Sequence, residues 1–176
     1  MPWDGTELML GGWDFGGTVL VPQRIAGGPQ ESIFQPEWSP KGELYFVSDR
    51  TGWWNLYRWR KGQVEAVREM EADFGMPQWV FGMSTYAFLD EHHILCSFIE
   101  RGLPQLGILN TSRHSLKRLK SDYAKFDSVR ATQGVAVFIA ASQLEPTSVV
   151  VCDPAQNLYQ TLRSSSEIVL SPPSSV

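Results

Sequence analysis

The sequence predicts an all-β fold built from repeated antiparallel sheets. Three observations support this prediction: strand-sized apolar runs, many turn-forming residues and an internal repeat. Of the 176 residues, 12% are aromatic, and there are 15 Gly and 11 Pro. Aromatic side chains favour strands, whereas Gly and Pro favour tight turns. No long segment shows the 3.6-residue periodicity of a helix.

The internal repeat consists of two strand-like runs that recur in three copies. The first run occupies residues 42–48, 92–97 and 134–140, and the second occupies residues 55–60, 105–110 and 147–152. The spacing between the two runs is the same in every copy. This regularity indicates three copies of one structural unit.

Each copy is predicted to contain four strands. The first strands are expected at residues 34–39, 84–89 and 128–131, and the fourth at residues 64–67, 116–119 and 159–162. Gly, Pro and Asp in the intervening turns supply the backbone angles that tight reversals need. A four-stranded unit of about 40 to 50 residues has the size of a β-propeller blade.

The predicted fold is therefore a partial β-propeller over residues 1–164, with three four-stranded antiparallel blades plus a half-blade. We expect the half-blade at residues 1–28, and the blades at about residues 30–70, 77–120 and 122–163. A Ser- and Pro-rich tail follows at residues 165–176, in which residues 167–170 are a candidate closing strand.

Composition and short motifs exclude several classes of function. The net charge of -4 leaves no basic surplus for binding nucleic acid. No apolar run approaches the roughly 20 residues that span a membrane. Cys96 and Cys152 lie in apolar runs, which favours buried thiols in a reducing, cytoplasmic compartment. No glycine-rich phosphate loop occurs, so no cofactor is expected.

Two motifs connect the repeat to a known family. Residues 38–42 read W-S-P-x-G, and residues 48–57 read S-D-R-x-G-x-x-x-L-Y. With the surrounding sequence, these motifs resemble the propeller of prolyl oligopeptidase-type serine peptidases. The dipeptidyl aminopeptidase/acylaminoacyl peptidase branch is the most similar, and its propellers resemble the TolB-type repeat.

This resemblance implies that the earlier blades of the propeller, and the whole hydrolase domain with its Ser-Asp-His triad, are absent from this chain. The chain has no G-x-S-x-G nucleophile motif. The nearest string, at residues 82–86, lacks the final Gly. No catalytic residue is therefore assigned.

The candidate binding residues are Asp49, Arg50, Trp53 and Trp54. Asp49 is expected to hydrogen-bond the following backbone, and Gly52 to adopt a positive φ. The two Trp side chains would then form a stacking surface beside the guanidinium. In the alternative interpretation, one Trp packs between blades and Arg50 pairs locally with a carboxylate.

His92 and His93 are the obvious metal-binding candidates, but they fall in a predicted turn. Adjacent residues on a strand point to opposite faces, so the pair does not suit one ion. We therefore predict a solvated turn and no metal site.

A partial propeller leaves apolar sheet faces uncovered, so we expect a homo-oligomer. The preferred form is a homodimer in which residues 167–170 add a strand to the partner. The alternative is a four-bladed monomer closed by the same strand.

Three hypotheses follow for function. The first is a non-catalytic module that acts in gating or protein interaction. The second is part of an active serine peptidase whose hydrolase domain is supplied elsewhere. The third is a small-molecule-binding propeller. A hydrolase domain or a peptide is the expected partner in the first two.

Overall fold

The computed structural model describes residues 4–167, and within this range it contains β-strands and no helix. The described part of the chain accordingly has no helix that could span a membrane. The chain divides into two compact units, residues 1–81 and 82–176. Of the candidate closing strand, residues 168–170 lie outside the described range, and Glu167 is in coil.

The first unit contains a two-stranded and a four-stranded sheet. Its strands are β1 (Glu7–Leu10), β2 (Gln23–Gly27), β3 (Ile33–Trp38), β4 (Leu44–Ser48), β5 (Asn55–Arg60) and β6 (Gln63–Arg68), and the short strand β7 (Ala72–Asp73) belongs to neither of these two sheets. β1 pairs with β2, and β3 to β6 pair consecutively. All of these pairs are antiparallel. Gly42 and Gly62, both with positive φ, make the turns before β4 and β6.

The second unit contains two further antiparallel sheets. Its strands are β8 (Tyr86–Phe88), β9 (His93–Glu100), β10 (Leu103–Asn110), β11 (Ser115–Leu119), β12 (Lys125–Thr132), β13 (Val135–Ala141), β14 (Ser148–Asp153) and β15 (Leu158–Ser164). β8 to β11 pair consecutively. β12 to β15 also pair consecutively.

Within each unit, buried apolar side chains join the two sheets. In the first unit, this cluster contains Leu8, Ala26, Ile33, Leu44, Phe46 and Tyr57. In the second unit, it contains Ala87, Leu89, Leu95, Leu106, Leu119, Phe126, Val129, Ala136, Phe138, Ala140, Val150 and Cys152. Full burial of one large apolar side chain stabilises by about 1.5–3 kcal/mol, so these clusters dominate the stability of each unit.

A β-bulge occurs in the first strand of two sheets. Gln35 in β3 has a φ of 47°, and Ser128 in β12 has a φ of 53°. The pairing register with the next strand shifts at both places. The bulge in β12 turns the Val129 amide away from its sheet, and this amide donates to the carbonyl of Ser84 at 3.1 Å.

Most strands lie where the repeat predicts them, with local differences. β5 has the predicted bounds, Asn55–Arg60. β12 begins at Lys125, three residues before the predicted start, because the bulge at Ser128 interrupts the alternation. The short strand β7 was not predicted. The expected number and limits of the blades stay predictions.

Both cysteines are unpaired and buried. The Cys96 thiol donates to the carbonyl of Gly107 at 3.5 Å. Burial raises the pKa of the Cys96 thiol. Burial, together with the nearby Asp153 carboxylate, raises the pKa of Cys152 to about 11.

We therefore expect neither thiol to react with a disulfide reagent such as DTNB in the native protein at pH 8. At this pH both thiols are protonated, and protein atoms cover them. Two thiols per chain should react after unfolding in guanidinium chloride. Rapid labelling of the native protein would contradict the burial of the thiols. Reaction of fewer than two thiols per chain after unfolding without reductant would contradict their being unpaired.

Candidate functional site

The loop between β4 and β5, residues 49–54, contains all four candidate binding residues. The Asp49 carboxylate accepts a hydrogen bond from the Ser32 amide at 2.7 Å. The Asp49 carbonyl accepts one from the Gly52 amide at 2.7 Å. Gly52 has the expected positive φ, 85°. The Asp49 side chain thus fastens the loop to the start of β3, whereas the sequence predicted a bond to the backbone that follows Asp49.

Arg50 pairs with Glu31, which precedes β3. Its Nε and Nη2 atoms donate to one carboxylate oxygen, Oε1, at 2.9 and 2.7 Å. The hydroxyl of Ser48 donates to the same oxygen at 2.6 Å. The other oxygen accepts the Gly27 amide at 3.1 Å. Glu31 therefore joins three segments of the first unit through charge-assisted hydrogen bonds.

The Arg50 guanidinium also lies over the ring of Tyr57, 4.7 Å from its centre. Burial raises the pKa of Tyr57, and the nearby Glu69 carboxylate adds to this effect, although a hydrogen bond with Thr51 and the charge of Arg50 oppose it. The neutral phenol donates to Glu69 at 3.3 Å. The alternative interpretation, in which Arg50 pairs locally with a carboxylate, describes this geometry.

The two Trp side chains have different environments. Trp53 is 39% exposed. The Trp54 ring is half-buried and meets Phe34 edge-on, with ring centres 6.5 Å apart. The Trp54 amide donates to the Asp73 carboxylate at 3.1 Å. Trp53 is therefore the more accessible of the two, and Trp54 contributes to packing.

An open recess of about 450 Å³ lies beside this network, lined by residues 27–31 and Arg50. The Arg50 side chain is 31% exposed at its rim. The Ser48 hydroxyl is fully buried, so it cannot meet a substrate. The Arg50 guanidinium that borders the recess is engaged by the Glu31 carboxylate and by the Tyr57 ring, so its charge is already compensated.

Sequence reasoning missed Glu31, Tyr57 and Asp73 as neighbours of the loop. The sequence did contain a signal for Glu31. In an antiparallel pair, the residues just before the first strand lie beside the residues just after the second strand. Glu31 holds the former position, before β3, and Arg50 holds the latter, after β4. The pairing of Ile33 with Ser48 brings these two ends together. The contact of Asp73 with Trp54 had no comparable signal in the sequence.

The two adjacent histidines lie at the start of β9. Asp90 accepts hydrogen bonds from the backbone amides of His92 and His93, and from Nδ1 of the His93 ring at 2.9 Å. Burial raises the pKa of Asp90, but these hydrogen bonds outweigh it and leave the pKa below its usual value. The His92 ring contacts the Ser112 hydroxyl at 2.9 Å. Among residues 4–167, no cluster of His, Cys, Asp and Glu could hold a metal ion.

Comparison with known proteins identifies structural relatives. No protein-family model matches the chain, and no curated protein gives a significant match. The structure of a puromycin hydrolase matches with a TM-score of 0.86 at 31% identity, over 96% of this chain and 26% of that chain. A puromycin-hydrolysing peptidase of Mycobacterium tuberculosis matches with a TM-score of 0.88 at 28% identity, over 97% and 26%. This chain thus spans about a quarter of their length.

More distant matches share the fold alone. Prolyl oligopeptidase B of Galerina marginata gives a TM-score of 0.67 at 10% identity, over 93% of this chain and 24% of that chain. A putative TolB of Agrobacterium tumefaciens gives 0.60 at 15% identity, over 80% and 52%. The predicted all-β, propeller-type fold is confirmed. The predicted resemblance to the propellers of prolyl oligopeptidase-type peptidases and of TolB is confirmed as well.

The Glu31 network makes a prediction about stability. We expect Glu31→Ala to lower the free energy of unfolding by about 1–3 kcal/mol, because it leaves the buried Ser48 hydroxyl and the Gly27 amide without their acceptor. The control is Glu7→Ala, which removes an exposed ion pair with Arg24 and should cost about 1 kcal/mol or less. Chemical denaturation followed by Trp fluorescence measures both. Equal losses in the two variants would show that the network has no special role.

Proposed function

We propose that this chain is a non-catalytic β-propeller module, related to the substrate-gating domain of prolyl oligopeptidase-family serine peptidases. Its role is protein interaction or gating. The observation that carries this proposal is the likeness to two puromycin-hydrolysing peptidases over nearly all of this chain but only about a quarter of theirs. A segment of this kind supplies a binding or access surface, and the chemistry takes place elsewhere.

The contacts of the ionisable side chains support a non-catalytic role. Arg50 is engaged by Glu31, and Arg118 is engaged by Glu100 through three hydrogen bonds. Asp90 organises the turn before β9. Arg50 and Arg118 each link two segments of the chain, and Asp90 fixes one turn, so all three are structural uses of charge.

The partner proposal rests on the last sheet of the second unit. Opposite its buried core face, this sheet carries five β-branched residues: Val135, Val137, Ile139, Val149 and Val151. All five are exposed or partly exposed. A face of this composition favours cover by another protein surface. We propose a second copy of this chain as that surface, in a cytoplasmic homodimer, with a hydrolase domain or a peptide as the functional partner.

The second candidate function is part of an active serine peptidase whose hydrolase domain is supplied elsewhere. The likeness to two puromycin-hydrolysing enzymes favours this candidate. The two candidates differ in the behaviour they predict for a separately encoded hydrolase domain. A hydrolase domain encoded beside this chain should then become active only when the two are mixed.

The proposal predicts that the purified chain alone has no serine-hydrolase chemistry. A fluorophosphonate probe should leave it unlabelled, and incubation with puromycin should release no free amino acid, because the sequence contains no G-x-S-x-G nucleophile motif. An authentic serine peptidase, labelled in parallel, serves as the positive control. Stoichiometric labelling, or puromycin hydrolysis that follows the chain through purification, would refute a non-catalytic role.

A further inference from the structure

Three side chains of the second unit form a hydrogen-bonded clasp between two neighbouring turns. His93 begins β9 and lies opposite Asn110, the last residue of β10. Its ring nitrogen Nδ1 lies 2.9 Å from the Asp90 carboxylate. The other ring nitrogen, Nε2, lies 3.0 Å from the Nδ2 atom of Asn110. We call this Asp90–His93–Asn110 arrangement the His93 clasp.

The backbone of the turn between β10 and β11 determines which atom of the Asn110 side chain faces His93. The amides of Ser112 and Arg113 donate to Asn110 Oδ1 at 3.1 and 2.8 Å. Only the oxygen of the side-chain amide can accept these bonds, so its NH₂ group points to the ring. Because an NH₂ group donates, Nε2 of His93 must accept, and it carries a lone pair.

Asp90 determines the state of the other ring nitrogen. Its carboxylate also accepts the backbone amides of His92 and His93. Burial raises the pKa of Asp90, but these hydrogen bonds leave it below its usual value, so the group is ionised. An ionised carboxylate only accepts hydrogen bonds. The clasp is therefore complete only when the His93 ring is neutral and carries its proton on Nδ1.

Protonation of the ring affects the two sides of the clasp differently. The His93 side chain is 41% exposed, so a proton from solvent can reach it. The second proton enters at Nε2, where it faces the NH₂ group of Asn110, and two donors then oppose each other. The bond to Asp90 is retained and becomes charge-assisted. Asn110 cannot turn its oxygen to the ring without withdrawing it from the two turn amides, so the clasp opens on this side.

The adjacent histidine lacks this sensitivity. The Nδ1 atom of His92 lies 2.9 Å from the Ser112 hydroxyl. A hydroxyl can both donate and accept, so it can bond the ring nitrogen with or without its proton. The two histidines thus differ in the chemistry of their partners, which provides a matched control.

The other charged or titratable groups near the clasp belong to the same two turns. They are Glu91, Arg113 and His114. The turn between β12 and β13 also meets this region, because the Gly134 amide donates to the Leu89 carbonyl at 3.2 Å. Residues 132–135 carry no charge.

We propose that the His93 clasp makes the turn between β10 and β11 sensitive to pH. Histidine is the side chain whose charge ordinarily changes between about pH 5 and 8. The neutral ring holds Asn110 and with it the turn, whereas the protonated ring releases both. This turn borders an open recess of about 360 Å³, which is lined by the two histidines, Asn110, Ser112 and Arg113. Acidification therefore loosens one side of this recess, whatever the role of the module.

Nitrogen-15 NMR of the full chain tests the clasp directly. At pH 8, we expect the His93 ring to show the shifts of a neutral tautomer protonated on Nδ1. Between pH 8 and pH 5, the exchange protection factors of the Ser112 and Arg113 amides should fall about 5- to 10-fold, which corresponds to the loss of one hydrogen bond. Protection at residues 94–99 of β9 should not change, which verifies that the unit is folded.

Asn110→Asp should reverse the response. The new carboxylate still accepts the two turn amides, and its second oxygen accepts the proton of the charged ring. Protection of the turn should then rise on acidification. His93→Gln should abolish the response, whereas the matched control His92→Gln should retain it. If Asn110→Asp does not fold, the two histidine variants decide.

Several results would overturn the proposal. They include a proton on Nε2 of His93 at pH 8, a ring that stays neutral down to pH 5, and turn protection that stays constant while the ring becomes protonated. A fall in protection in Asn110→Asp would also overturn it. A response that survives in His93→Gln, or is lost in His92→Gln, would assign the pH dependence to another group and overturn the role of His93.

Discussion

The structure depends on one constraint: the central strands of its sheets are apolar on both faces, so both faces must be covered. Leu44, Tyr45, Phe46 and Val47 follow one another in β4, and each is at most 4% exposed. Because successive side chains on a strand point to opposite faces, such a strand is stable only between two layers. In the first unit, Leu44 and Phe46 pack against the two-stranded sheet, whereas Tyr45 and Val47 point to the opposite face of β4 and are buried there as well.

The candidate binding loop is a consequence of this packing. Because β3 and β4 are antiparallel, the segment that enters β3 lies beside the segment that leaves β4. Glu31 and Arg50 occupy these two segments, and their ion pair is partly shielded from water. The buried strands therefore determine which backbone segments meet, and the polar residues hold those segments in a fixed geometry. Binding surfaces on propeller-type sheets are formed by loops of this kind.

Strands were predictable from the sequence wherever pattern and turn residues agreed. The β5 prediction is exact because a short strand-forming run lies between the turns that contain Gly52 and Gly62. The prediction was poorer at β12, where a non-glycine residue, Ser128, adopts positive φ and breaks the alternation. In the candidate site, the positive φ of Gly52 was predictable, because it depends only on the turn in which this residue lies. Pairing of Arg50 with a carboxylate was anticipated in the alternative interpretation, but its partner Glu31 was not identified, because the two residues meet only through the register of β3 with β4.

The central claim is that β4, β9 and β13 are equivalent inner strands of three four-stranded sheets. Native-state hydrogen exchange followed by mass spectrometry tests this claim most directly, because amides in buried central strands open only in large unfolding events. We expect three separate maxima of protection, at residues 44–48, 93–100 and 135–141, each flanked by faster-exchanging turns. A single contiguous protected region, or maxima that do not recur at these positions, would contradict it.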